Sequence, residues 1–434
     1  MRARIGAAVA VNLAERFLAR LSRRAERVWM SGDGGRHTGR ALAERARCVA
    51  ARLRAAGVRP GDRVALSLPK TEWLPAAHVG VLASGAAVVP INPALPDDPI
   101  ASLLARSGAV LAISDAPLAA RAPGIAQGLP WWCAGPDAPD GASRLVADGP
   151  AARDVVARAP GDLALLAFTS GTTGEPKGVP LSHENLSANL AALERTWEWT
   201  DADRLLHVLP VFHLHGLGVA LYGSLWVGNP IHVHDRFDPE RILREAFEQR
   251  ITLLMSVPTM LHRLVEAATS EPGRALAGLR LVVCGSAPLA PALFARFRDR
   301  FGLAPVERFG MTETVMNTSN PVRGPRKAGS VGFPLPGVEL VLRDAETGAD
   351  AGPGPAEVCV RGPNVFGGYW HDASATRAAF YPGGWFRTGD LGTLDADGSL
   401  RLVGRIKEII VTAGYNVSPA AVEAVLSAEG DPRV

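Results

Sequence analysis

One stretch of the chain concentrates groups that can hold phosphate: Phe168-Thr-Ser-Gly-Thr-Thr-Gly-Glu-Pro-Lys-Gly178. Gly171 and Gly174 let the backbone turn through positive φ and bring N–H groups close to phosphate oxygens. The hydroxyls of Thr169, Ser170, Thr172 and Thr173 add donors, and Lys177 supplies a point charge for a polyphosphate. A Walker loop requires a lysine directly after its second glycine and a Ser or Thr directly after the lysine; here Glu175 and Pro176 intervene. A flexible turn is the commoner use of a short glycine-rich string. Lysine is scarce, however, occurring only at positions 70, 177, 327 and 407, which gives Lys177 more weight.

The elements that must position this loop follow from the apolar pattern. Ala41 to Ala56 is amphipathic at helical spacing, Gly57-Val-Arg-Pro-Gly-Asp reads as a turn, and Arg63 to Leu68 as a short strand. Leu74 to Ile91 contains His78, Gly80, Gly85 and Pro90, which suits a buried helix running into a strand rather than a membrane span. Ala116 to Ala159, rich in Ala, Pro, Gly and Asp, reads as a loose connection. Further strands are expected at Leu163 to Phe168, Leu253 to Ser256 and Leu279 to Cys284, with a helix from Ser182 to Arg195 after the phosphate loop. Repeated helix–strand units favour mostly parallel sheets covered by helices. Beyond Gly329, short strand-like runs at Glu339 to Arg343, Ala356 to Arg361 and Leu400 to Val403 suggest a small β subdomain. The fold class is therefore α/β: two helix-covered, mostly parallel sheets plus a small β subdomain. The expected division is residues 1–160, 161–328, 329–403 and 404–434.

The loop resembles the signature of the acyl-adenylate-forming superfamily, which includes acyl-CoA synthetases, carrier-protein-loading adenylation domains and luciferases. Gly285-Ser-Ala-Pro288, Arg308-Phe-Gly-Met-Thr-Glu-Thr314, Phe386-Arg-Thr-Gly-Asp390 and Gly404-Arg-Ile-Lys-Glu408 follow in that family's order. The resemblance implies ATP, Mg2+ and CoA as co-reactants. It places Thr169 to Gly174, Lys177, Gly285, Ser286, Ala287, Pro288 and Arg308 to Thr312 around the nucleotide. Phe309 would lie against the adenine, Thr312 near the α-phosphate, Asp390 on the ribose diol and Arg405 beside ribose or phosphate. Glu313 would hold the metal, with Thr173 as a second metal-side group; Lys177, Thr312 and Glu313 would be catalytic, and Lys407 would sit at a hinge. Taken singly, Asp390 could cap a turn, Phe309 could be core and Arg405 a surface charge; their shared order argues otherwise.

Leu209-Pro-Val-Phe-His-Leu-His-Gly-Leu217 resembles the family's acid-side gate and Val257-Pro-Thr-Met-Leu-His-Arg-Leu264 its pocket helix. Arg263, the polar run Val315-Met-Asn-Thr-Ser319 and Trp197-Glu-Trp199 look most like malonyl-CoA synthetases. A second carboxylate is costly to bury unless a cation meets it. Arg263 is the expected partner, with His213, Ser286, Met316 and Asn317 shaping a small pocket for malonate or methylmalonate. If Arg263 is buried against that carboxylate, Arg263→Leu should cost roughly 2–5 kcal/mol; if it points to solvent, its helix merely packs. The alternatives are an adenylating enzyme serving an acyl carrier protein or another nucleophile, and a non-catalytic nucleotide-binding derivative.

Composition narrows the rest. With 434 residues, 47% hydrophobic and a net charge of +3, the chain can build more than one core and shows no basic stripe for nucleic acid. Cys48, Cys133, Cys284 and Cys359 lack metal-ligand spacing and read as semi-buried thiols in a reducing compartment. Met1 to Val11 could pass for a weak signal peptide, but a surface helix is expected from Leu13 to Leu21. The expected setting is soluble and cytoplasmic, without membrane or nucleic-acid partners. The family continues past the hinge into a small domain bearing a second lysine. Here the sequence ends at Val434 and no lysine follows Lys407, so ligand binding is expected to persist while adenylation is weak and thioester formation slight.

Overall fold

The computed structural model describes residues 12–135, 138–140, 142–145, 151–169, 176–268, 276–408, 410–412 and 415–417. They form two compact units, one comprising residues up to 194, 199–237 and 366–371, the other 195–198, 238–365 and 372 onward.

The first unit opens with the helix Leu13–Arg23, whose N-terminus is capped by the Asn12 side chain accepting from the Ala14 N–H. Its strands are β1 (Val28–Gly32), β2 (His37–Thr38), β3 (Arg63–Ser67), β4 (Ala87–Pro90), β5 (Ala109–Ser114), β6 (Trp131–Ala134), β7 (Ser143–Leu145), β8 (Leu163–Thr169), β9 (Lys177–Ser182), β10 (Leu205–His207) and β11 (Ile231–Val233). Seven strands order as β7-β6-β5-β3-β4-β8-β9, parallel except for the β8–β9 pair. Val89, Ile100, Leu104, Trp131 and Leu166 pack together over this sheet. In the same unit β10, β11 and β1 run parallel, with β2 antiparallel at their edge.

The buried helix-to-strand transition expected at 74–91 is Trp73–Ala83 followed by β4. The expected loose connection at 116–159 is corrected over its first part, while residues 151–159 carry no helix or strand. Asp115 caps a helix at Ala116–Ile125, and the apolar Trp131-Trp132-Cys133 run extends the parallel sheet. Alanine is a good helix former and both tryptophans are buried there, so composition misread an ordered βαβ step as a linker. The cysteines are likewise fully buried rather than semi-buried.

The second unit carries β12 (Leu253–Ser256), β13 (Leu281–Cys284) and β14 (Val306–Phe309) in parallel, with β15 (Thr318–Ser319) and β16 (Phe333–Pro334) continuing antiparallel. Beyond them lies an antiparallel sheet of β17 (Glu339–Arg343), β18 (Ala356–Arg361), β19 (Phe380–Tyr381), β20 (Trp385–Leu394) and β21 (Leu400–Arg405). A short hairpin pairs Ile410–Thr412 with Tyr415–Val417. The helix-like run Pro419 to Ser427 lies outside the described residues. Among the described residues no helix is long and apolar enough to cross a membrane.

Candidate nucleotide and acid site

Within the second unit, three loops leave the carboxyl ends of neighbouring parallel strands, the position where open α/β sheets hold ligands. β12 leads into the helix Pro258–Ala267, β13 into Gly285–Pro288, and β14 into Gly310–Asn317. The helix Pro258–Ala267, the Gly285–Pro288 turn and the loop bearing Glu313 are thus set side by side by one sheet. The Ser256 hydroxyl donates to the Val283 carbonyl at 2.9 Å, fastening β12 to β13 beneath them.

The Gly285 loop and Arg308 form one structure. A Cβ at Gly285 would lie 2.6 Å from Arg308 Nε, so only glycine permits this approach. Ser286 adopts φ +72° and its Oγ accepts from Arg308 Nη2 at 3.0 Å. Arg308 is 5% exposed, and its Nε has no partner among the described residues. No ion pair to a carboxylate is found for it there. Burial lowers its pKa to about 10, while the neighbouring Cys284 thiol is pushed up to about 12 and stays neutral. A buried guanidinium without a counter-ion is costly and favours an anionic ligand.

Along the next loop Phe309 is buried, Met311 and Thr312 are half-buried, and Glu313 is 6% exposed. Met316 and Asn317 are also buried. Asp390 on β20 sits opposite Arg405 on β21, and Arg405 Nε donates to Asp390 Oδ1 at 2.8 Å. Burial raises the Asp390 pKa, opposed by Arg405; the Arg405 pKa is raised first by Asp390, with Glu408 and Glu313 adding to it. Asp390, Arg405 and Glu313 therefore share one electrostatic neighbourhood. Lys407 lies in the short 3-10 turn directly after β21. A carboxylate such as Glu313 is the right donor type for Mg2+. Arg263 is exposed on its helix, whereas Leu261 and Leu264 on the same helix are buried.

In the first unit, β8 and β9 are antiparallel neighbours with Thr169 opposite Lys177. A strand, β9, therefore precedes the helix His183–Thr196, which does not directly follow the glycine-rich string. Ser170, Gly171, Thr172, Thr173 and Gly174 lie outside the described residues. Lys177 Nζ stands 4.9 Å from the Tyr369 ring centroid, and the Trp370 N–H donates to the Gly178 carbonyl at 2.8 Å. His213 is exposed, its ring 4.6 Å from that of Phe212. It precedes a π-helix at His215–Leu221, a rare form found often at functional sites. Sequence reasoning missed Lys70 beneath this gate. It is buried and donates to the carbonyls of Val208 at 3.1 Å and His234 at 2.7 Å. Only its rarity as a lysine could have flagged it.

Parallel sheets with loops at their carboxyl ends, a buried arginine without a carboxylate partner among the described residues and a nearby buried carboxylate define an α/β protein with a site suited to an anionic ligand. A family model described as AMP-binding enzyme matches residues 17–370, and the chain belongs to that family. An oxalate–CoA ligase of Arabidopsis thaliana is 36% identical over 387 residues, 87% of this chain and 75% of that protein. A malonate–CoA ligase of the same plant is 37% identical over 283 residues, 61% of this chain and 46% of its own length. The chain thus spans less than half of some curated relatives in these matches. Acids of other kinds are represented too, as by a feruloyl-CoA synthase of Amycolatopsis sp, 36% identical over 396 residues, 89% of this chain and 78% of that protein. The crystal structure of ATP-bound MatB from Rhodopseudomonas palustris superposes with a TM-score of 0.87 at 34% identity, covering 96% of this chain and 84% of that one. The fold is that of the large N-terminal domain of acyl-adenylate-forming enzymes.

Proposed function

We propose that the chain is the nucleotide-binding body of an AMP-forming acid–CoA ligase for a small acid with a second anionic group, malonate or methylmalonate. The acid carboxylate attacks the α-phosphorus of ATP and pyrophosphate leaves, giving an acyl-adenylate; the CoA thiolate then attacks the acyl carbon and AMP leaves. Asp390 accepts from the ribose hydroxyls, Phe309 lies against the base, and Thr312 donates to the α-phosphate. Mg2+, held by Glu313 and phosphate oxygens, would draw charge from the departing pyrophosphate. Lys177 offers its charge to the polyphosphate.

The observation that carries the acid assignment is Arg308, buried and without a carboxylate partner among the described residues. A distal carboxylate accepting from its guanidinium would supply the missing counter-charge. The oxalate and malonate relatives act on acids of this two-headed kind by their names. The sequence pointed to Arg263 for this role and gave Arg308 to the nucleotide. Burial favours Arg308, because an exposed arginine gains little from an ion pair.

Thermal stabilisation by magnesium–ATP together with malonate, methylmalonate, acetate or octanoate tests this reading, since ligand binding to the native state raises the melting temperature even where turnover is slow. The expected result is a shift specific to malonate or methylmalonate that disappears in Arg308→Met and falls only slightly, by about 1 kcal/mol or less, in Arg263→Leu. Stabilisation by octanoate alone, or an Arg308→Met variant that keeps the malonate shift, would overturn it.

A further inference from the structure

We infer that Asn364 is a positioning residue for the loop that carries Thr312 and Glu313, acting by clamping a strained turn two residues further on. This rests on the reading of Glu313 and Thr312 given above.

Val315 adopts φ +57°. For a β-branched residue the left-handed region is a steric outlier, and such a conformation persists only where its surroundings enforce it. The enforcement is visible on several sides. A Cβ at Gly310 would lie 2.1 Å from the Val315 carbonyl oxygen, so the loop's first residue must be glycine for the turn to fold back on it. The Asn317 N–H donates to the Phe309 carbonyl at 2.9 Å, the Thr314 N–H to the Met311 carbonyl at 3.2 Å, and the Leu335 N–H to the Asn317 carbonyl at 2.8 Å.

Two further carbonyls of the turn are met by one side chain. Asn364, 2% exposed in the segment after β18, donates through Nδ2 to the Thr314 carbonyl at 2.8 Å and the Met316 carbonyl at 3.2 Å. The same nitrogen lies 3.3 Å from Asn317 Oδ1. These acceptors flank Val315, so a single amide grips the chain on both sides of the strained residue. Gly362 gives it room: a Cβ there would lie 2.6 Å from the Gly337 carbonyl and 2.8 Å from Asn364 Oδ1. Thr314 follows Glu313 directly, so the bond to its carbonyl holds the Thr314–Val315 peptide one residue beyond the carboxylate, while the Thr314 N–H to Met311 bond holds the peptide beside it. Buried carbonyls left without donors would turn to other partners, and the loop would relax from φ +57° at Val315.

The test is a double-mutant cycle of Asn364→Ala and Val315→Gly, read as urea midpoints, together with magnesium–ATP affinity by calorimetry. Glycine takes positive φ without strain, so losing the clamp should matter less when Val315 is glycine. The midpoint drop caused by Asn364→Ala should shrink by half or more in the Val315→Gly background, and Asn364→Ala alone should weaken magnesium–ATP binding about tenfold. Additive midpoints would overturn the clamp regardless of any ligand. Coupled midpoints with unchanged magnesium–ATP affinity would overturn its positioning role. A wild-type chain that does not bind magnesium–ATP would instead overturn the underlying reading of Glu313. If Asn364→Ala does not fold, Asn364→Ser, which keeps one donor, takes its place in the same cycle.

Discussion

A methyl group at Gly285 would meet Nε, Cζ and Cδ of Arg308 at 2.6 to 2.9 Å. The glycine is required by contact with that side chain, and the two residues work as a pair. Gly285→Ala should therefore cost about 1–3 kcal/mol in urea unfolding, the usual penalty for overpacking, and should weaken the malonate-dependent thermal shift as Arg308→Met does. An unaltered malonate shift in a destabilised Gly285→Ala protein would separate packing from binding. The motif that contains Gly285 was readable from residue types and order. Which arginine is buried was not, because Arg263 and Arg308 are chemically identical and only the fold distinguishes their exposure. Asn364 was invisible for a related reason: an asparagine after Gly-Pro looks like a turn residue, and its work is done on backbone atoms distant in sequence.

β14 is the element on which most of the site hangs, and it breaks the rule by which strands are recognised. Val306, Glu307, Arg308 and Phe309 are all buried, so two charges occupy interior positions and no polar-apolar alternation marks a face. Strands made of aliphatic residues, such as β12, β17 and β18, stood out at their observed limits. The hairpin β8–β9 did not, because Pro176 and Pro180 hid a strand beyond the phosphate string. Glu307 shows the consequence of burying a carboxyl in such an element. Burial raises its pKa from 4.5 to about 7, against the opposing Gly329 N–H, which donates to it at 2.9 Å, and the charge of Arg401. Between those pH values the folded protein binds the proton that the unfolded chain releases. Its contribution to stability is thus complete below about pH 4.5 and is lost as pH rises to about 7, by at most about 3 kcal/mol. Glu307→Gln keeps the acceptor for Gly329 without the charge. The variant should match the wild type near pH 5 and exceed it at pH 8 in urea midpoint; parallel pH curves for the two proteins would rule out this role.

At the scale of the whole molecule, the order of five motifs pointed to one function, while compactness follows a different arrangement. Residues 366–371 belong with the first unit and 195–198 with the second, crossings that no change of composition announces. Motif order is read along the chain, whereas units are set by contacts between distant segments. Stability of the entire protein offers a readout that separates the roles assigned to its nucleotide residues. Any ligand bound only by the native state stabilises it by about 2.7 kcal/mol at one hundred times its dissociation constant, and a tenfold loss of affinity subtracts about 1.4 kcal/mol. AMP carries the ribose and α-phosphate but no pyrophosphate, so on the proposed roles it would need Asp390 and make no demand on Glu313. Asp390→Asn should therefore reduce the melting shifts given by AMP and by magnesium–ATP together, because it weakens acceptance from the ribose and unbalances Arg405 2.8 Å away. Glu313→Gln should leave the AMP shift within twofold in affinity and cut the magnesium–ATP shift by about tenfold in affinity, with the loss absent when ATP is supplied with a chelator. If Glu313→Gln lowered both shifts equally, the carboxylate would be supporting the Phe309–Asn317 loop as a whole, and its assignment to the metal would fail while that of Asp390 stood.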